Sequence, residues 1–189
     1  MARTNANGSS ITDLIGVTPV VKLDGGQPPV WSFPEMAAET FKAGEMVCLS
    51  GAAATRTGIT KPGTDASGYG ILGFAADDAA GSISSYRGVY VASPATVFVG
   101  NVGHSVTSAN AQTAATDLGL CYGLTSLSGR TYVDKYKTAV STTMCRVVGL
   151  HKQDTVPTFY GKVYFTVLNQ ACQMMQNTVI CSSPLDMAL

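Results

Sequence analysis

Charge is what this sequence has least of. Twelve basic and twelve acidic residues among 189 make a 13% charged share and a formal net charge of zero, where about 25% is usual. With no basic excess there is no footprint for neutralising phosphates, so no nucleic-acid partner is expected. The deficit does not spell disorder, because 46% of the residues are apolar and disorder needs low hydrophobicity with high net charge. A neutral, charge-poor surface keeps a chain soluble and monomeric poorly. Much of it is therefore expected to be covered by something else.

Long apolar runs are missing too. Val97-Phe98-Val99 and Val163-Tyr164-Phe165 are far shorter than a membrane span, so no membrane partner is expected. The first eight residues hold no apolar stretch of the kind a secretory signal carries, so synthesis in a reducing cytoplasm is expected. Cys48, Cys121, Cys145, Cys172 and Cys181 are odd in number and contain no C-x-x-C pair. They read as small buried hydrophobes, not as disulfides or metal ligands.

Motifs that carry chemistry are equally scarce. Gly68-Tyr69-Gly70-Ile71-Leu72-Gly73 fits G-x-G-x-x-G, but it follows a loop and leads into a β-type run. A dinucleotide site needs a strand before that motif and a helix after it. The segment reads as a glycine-punctuated turn entering a strand. His104 and His151 lack the nucleophile, orienting acid or ligand pattern that catalysis or metal binding requires. Asp77-Asp78, followed by Ala79-Ala80-Gly81-Ser82, reads as a strand-ending turn. No catalytic, cofactor or metal residue is assigned, and an enzyme is not expected.

What is present divides the chain in three. Residues 1–40 hold four prolines, Pro19, Pro28, Pro29 and Pro34, which preclude a regular helix through the segment. They also hold Val17, Val20, Val21, Val30, the only tryptophan, Trp31, and Phe33. That combination reads as an extended arm anchored on something, in this chain or a neighbour, and these six residues are the candidate interface. Residues 41–170 are short runs rich in Val, Tyr, Phe and Thr between glycines, which predict a mainly β domain, sandwich or barrel. Helical periodicity is weak, at 108–118 and 169–177. Residues 171–189 form a tail.

An echo runs through the β domain at an offset of roughly 75 residues. The segment 44–49 lines up with 119–124, 71–74 with 147–150, and 86–91 with 160–165. Either a strand–turn–strand unit is duplicated, with pairing of the copies closing one core, or β-rich segments match by chance.

The order of features resembles the decoration, or cement, proteins of tailed-bacteriophage heads over roughly residues 10–170. It runs from GVTPV at 16–20 and FKAGEMVCLSG at 41–51 to ILGFAAD at 71–77 and VASPATVF at 91–98. DLG at 117–119, YGL at 122–124, YVD at 132–134, VVGL at 147–150 and GKVYF at 161–165 complete it. The resemblance implies a non-enzymatic virion protein on the capsid exterior. Its partners would be the major capsid protein and two sister copies in a trimer, with the arm lying along the shell or a sister subunit. Trp31 and Phe33 would then be anchors, unless they pack on their own domain. Removing residues 1–40 is expected to abolish shell binding and leave the β body folded. A carbohydrate-binding module of a fibre, and a tail-tube or connector subunit, are the rival readings.

Overall fold

A computed structural model describes residues 15–50, 58–62, 70–83, 85–154 and 156–174. Eleven strands appear among them: β1 (Thr18–Lys22), β2 (Val30–Pro34), β3 (Met46–Leu49), β4 (Ile59–Thr60), β5 (Gly73–Ala75), β6 (Tyr86–Val91), β7 (Thr96–Gly103), β8 (Cys121–Leu127), β9 (Arg130–Asp134), β10 (Cys145–Leu150) and β11 (Lys162–Val167). No α-helix occurs among the described residues. The weak helical periodicity resolves into short 3-10 turns at Ser108–Asn110, Ala115–Asp117 and Asn169–Ala171. The fold is mainly β, as expected, and its second half is a barrel.

That barrel has the order β7-β11-β10-β8-β9 and closes by parallel pairing of β7 with β9, Val102 opposite Val133 and Gly103 opposite Asp134. The first half is an antiparallel sheet of order β2-β6-β5-β3-β4, whose ends meet in one parallel bridge between Glu35 and Ile59. Numbered within each half, both run 1-5-4-2-3, with strand 3 returning parallel to strand 1. The chain thus contains one five-strand topology twice.

The ladders fix which residues correspond. Val47 pairs with Gly73 and Gly73 with Val91 in the first half; Tyr122 pairs with Cys145 and Cys145 with Val167 in the second. β3 and β8 therefore match at the expected offset of 75. The glycine-centred match of 71–74 to 147–150 slips by four residues, because Gly73 corresponds to Cys145 and not to Gly149. The two glycines serve different ends. A Cβ on Gly73 would lie 2.0 Å from the Tyr90 carbonyl oxygen, whereas Gly149 marks an irregularity in the β10–β11 register.

Alternation along the strands of the first sheet buries both of its faces. Val47, Leu72, Ala75 and Val89 point inward with Phe41 and Ile59. Met46, Ile71 and Phe74 point the other way, into the core of the barrel. Burial on both faces explains why β3 and β5 read as continuous apolar runs rather than alternating ones. Phe74 meets Phe98 at 4.8 Å and Phe165 at 6.1 Å between ring centroids. This aromatic cluster joins the halves. Residues after β11 add a second tie: Cys172 bridges to Ile71, and the Leu49 N–H donates to Gln173 Oε1 at 2.8 Å.

The proposed arm is part of this architecture. β1 pairs antiparallel with β7 and β2 with β6, so β2 is the first strand of the first repeat. Removing residues 1–40 would take one of five strands from that sheet, and the expectation of a folded remainder is corrected accordingly. Residues 171–174 likewise dock on the first half. Residues 1–14, 51–57, 63–69 and 175–189, with Cys181 among the last, lie outside the described residues.

One turn recurs at the same place in both halves. Gly44 (φ +80°) and Gly119 (φ +84°) each precede the strand-2 entry, where Glu45 N–H donates to Lys42 O and Leu120 N–H to Asp117 O. Only glycine takes this left-handed conformation at little cost. Their surroundings differ: a Cβ on Gly44 would lie 2.4 Å from Gly16 Cα, while nothing stands within 4 Å of one on Gly119. Gly119→Ala is expected to cost about 1–2 kcal/mol, the left-handed penalty alone. Gly44→Ala adds a backbone clash and is expected to cost at least twice as much in urea denaturation. Equal costs would contradict the packing of residue 16 against that turn.

Candidate interaction surface

The six candidate interface residues separate. Val17 is fully buried in the barrel's core, and its N–H donates to Gly44 O at 3.0 Å. It holds the chain against its own body and cannot meet a partner. Phe33 is half-buried against the interior of the first sheet. Val20, Val21, Val30 and Trp31 are exposed, with Val20, Val30 and Trp31 each near one half of full exposure (47, 51 and 50%). Trp31 stacks on Phe33 with ring centroids 6.4 Å apart. Part of the pair is thus structural and part open.

The exposed four sit on rigid strands. Leu23 N–H donates to Ala95 O at 2.7 Å, and Lys22 N–H to Gly26 O at 3.1 Å, which pins the turn after β1 to the β6–β7 connection. Prolines 28 and 29 lead into β2, whose ladder with β6 runs from Val30 opposite Tyr90 to Pro34 opposite Tyr86. These apolar side chains are therefore held in place before any partner arrives, which lowers the entropic cost of binding.

Charged groups elsewhere are engaged in holding the fold. Asp117, buried, accepts from Lys135 Nζ at 2.7 Å, from Tyr122 OH at 2.8 Å and from Ala114 N–H at 2.7 Å. Burial, and then donation to Asp117, push the Tyr122 hydroxyl well above its ordinary pKa. Asp134 accepts from Thr125 Oγ1 and from the N–H groups of Ser105 and Tyr136. Glu35 accepts from the N–H groups of Ala80 and Ser82 and from Arg87 Nε at 2.9, 2.7 and 3.1 Å. None of these buried acids was singled out from sequence, because a lone carboxylate carries no periodic signal.

The acidic pair behaves as a turn, with its members serving different neighbours. Asp77 accepts from Gly88 N–H, and Asp78 from Ala43 N–H and Lys42 Nζ. Asp154 in the second repeat accepts from Lys162 N–H, so both halves use an acid after strand 4 to fix the start of strand 5. Asp78 borders an open cleft of about 900 Å³ between the halves, where Lys42 pairs with it at 3.1 Å. His104 Nδ1 accepts from Thr107 N–H in a local turn, and His151 lies beside the Tyr164 ring. No group of three or more His, Cys, Asp or Glu that could hold a metal occurs among the described residues.

Cys48, Cys145 and Cys172 are buried and Cys121 is half-buried. Burial pushes the Cys145 thiol well up and the Cys172 thiol up to about 12, so both stay protonated and poorly nucleophilic at neutral pH. From the G-x-G-x-x-G segment, Gly70 to Gly73 lead into β5 with no helix after them. No protein family, no curated protein and no solved structure matches this chain.

Glu35 supplies a test by pH. Burial alone would raise its pKa, but the donors from Ala80, Ser82 and Arg87 outweigh it and hold the carboxyl below its ordinary value. A depressed native pKa stabilises the fold above the unfolded value of about 4.3, and the contribution is lost as pH falls through the folded value. Glu35→Gln should therefore be less stable than the parent at pH 7, with the gap narrowing below about pH 4. Thermal melts at both pH values check this. A gap of constant size would show that the ionised form has no special role.

Proposed function

We propose that this chain is a non-enzymatic structural virion protein that binds the exterior of an assembled phage capsid and stabilises it. Its partners in this reading are the major capsid protein and sister copies in a homotrimer. The observation that supports the reading best is the exposure of Val20, Val21, Val30 and Trp31 on two strands that are paired into the body. A surface of this kind, on a chain with 13% charged residues, fits permanent attachment to another protein. The order of sequence features that resembles capsid cement proteins points the same way.

The mechanism is linkage. A site that spans several capsid subunits exists only on the assembled shell, so binding there stabilises assembly over dissociation by mass action. Many copies on one shell add avidity wherever neighbours touch. Trp31 carries the anchor role, since aromatic residues at the centre of an interface dominate its energy. Phe33 supports it from behind, and Val17 has no part in it.

Co-sedimentation with the parent virus's shells, before and after expansion, tests the proposal. Saturable binding to expanded shells alone is expected, and Trp31→Ala should weaken it by about 30-fold or more, the range of an interface hot spot. Absence of binding to either shell would reject it in favour of the tail-tube or glycan-binding reading.

A further inference from the structure

The internal repeat shows what one half has and the other lacks. In the ladders Trp31 stands opposite Val89 and Phe98 opposite Phe165, with Val89 and Phe165 in equivalent places, so Trp31 is the counterpart of Phe98. Phe98 is fully buried, while Trp31 is 50% exposed. Phe98 packs on Phe74 and Phe165 in the core between the halves, and the two strand edges differ as well.

Backbone accounting locates these edges. Bonds from Val91 N–H to Pro29 O and from Glu35 N–H to Ser85 O show that the odd residues of β2 face β6. The N–H and C=O groups of Val30 and Ser32 therefore face away from β6. Further along, Met36 N–H donates to Ile59 O beside β4, so the far end of this edge is occupied. Strand β7 has the same plan. Val102 N–H donates to Gly161 O, so its even residues face β11, and Gly103 O accepts from Lys135 N–H beside β9. There, however, the near end is covered: β1 lies antiparallel on it, with Thr18 opposite Val99 and Pro19 opposite Phe98. No strand among the described residues takes the corresponding place on β2.

We infer that the Val30–Ser32 edge of β2 accepts an extended strand from a partner protein, antiparallel to β2, with a residue opposite Trp31 as Pro19 of β1 stands opposite Phe98. The chemistry of the occupant follows from the filled copy, whose sequence is Thr18-Pro19-Val20-Val21-Lys22. It is an extended, β-branched, largely uncharged segment with proline or a small apolar residue opposite Trp31. Main-chain bonds would supply affinity and the Trp31 contact specificity, the usual division in strand addition. β1 is already committed to β7, so no strand among the described residues is left to fill the slot, and the inferred occupant is a second polypeptide.

The outer edge of β1 is no alternative acceptor. Pro19 lacks an N–H, the β1–β7 register shifts between Pro19 and Val21, and both backbone groups of Lys22 are used in the following turn. These are devices by which natural sheets block edge pairing. At β2 the prolines flank the slot at 29 and 34 and leave Val30 and Ser32 unblocked. This inference does not depend on the partner being a capsid.

Trp31 is the only tryptophan, so its fluorescence reads the site directly. The probe is a synthetic peptide with the sequence of residues 16–24 (GVTPVVKLD), added to the full-length protein. A saturable blue shift is expected, with amide shifts in nuclear magnetic resonance centred on Val30 and Ser32. Ser32→Pro should abolish both, since it removes an outward N–H not used in the β2–β6 ladder and edge strands tolerate proline. N-methylation of the peptide at its Val21 position should do the same with the protein unaltered. No saturable change up to about 1 mM peptide, roughly the weakest specific association of interest, would overturn the inference. So would undiminished binding by either modified form, or a blue shift that follows protein concentration without peptide, which would mark pairing of two copies instead.

Discussion

The contact on which this structure depends is the one Phe74 makes with Phe98 and Phe165. A strand has two faces, and β5 with the two residues before it uses both: Ala75 and Leu72 fill the first half, while Phe74 and Ile71 fill the second. The first sheet is therefore a wall shared by two cores. It cannot shift register by one residue without exchanging the contents of both. The aromatic seam fixes how the halves meet, and that in turn sets where β1 and β2 emerge at the surface.

Duplication gives the molecule an internal control. Equivalent positions hold the same backbone while their surroundings differ, so each difference reports on context. Gly44 and Gly119 share a turn but only Gly44 is crowded. Trp31 and Phe98 share a ladder position but only Phe98 is covered. Arg146 occupies the place corresponding to Phe74 and is exposed. The second half therefore presents a charge where the first presents its seam.

Much of the fold was legible in the sequence. Valine- and tyrosine-rich runs between glycines marked the mainly β domain, and the spacing from Met46 to Cys121 marked the repeat. What failed did so for physical reasons. Ile59 and Thr60 make a strand too short to show alternation. The alignment at Gly73 and Gly149 slipped because one glycine answers a tight backbone approach and the other a shift in register. The arm looked separate because prolines punctuate it, yet prolines at 28, 29 and 34 are compatible with an edge strand, and β2 is one. The interface was half legible: composition placed apolar residues in the first forty, but only pairing shows that Val17 faces inward and Val30 outward.

Hydrogen exchange, free and on expanded shells, tests the central claim most directly. In the free protein the Val30 and Ser32 amides are expected to exchange fast while Trp31 and Phe33, bonded to β6, exchange slowly. On shells, Val30 and Ser32 should become protected as the protein attaches. Protection of those two amides already in the free protein, or their continued fast exchange on shells that hold the protein, would contradict it.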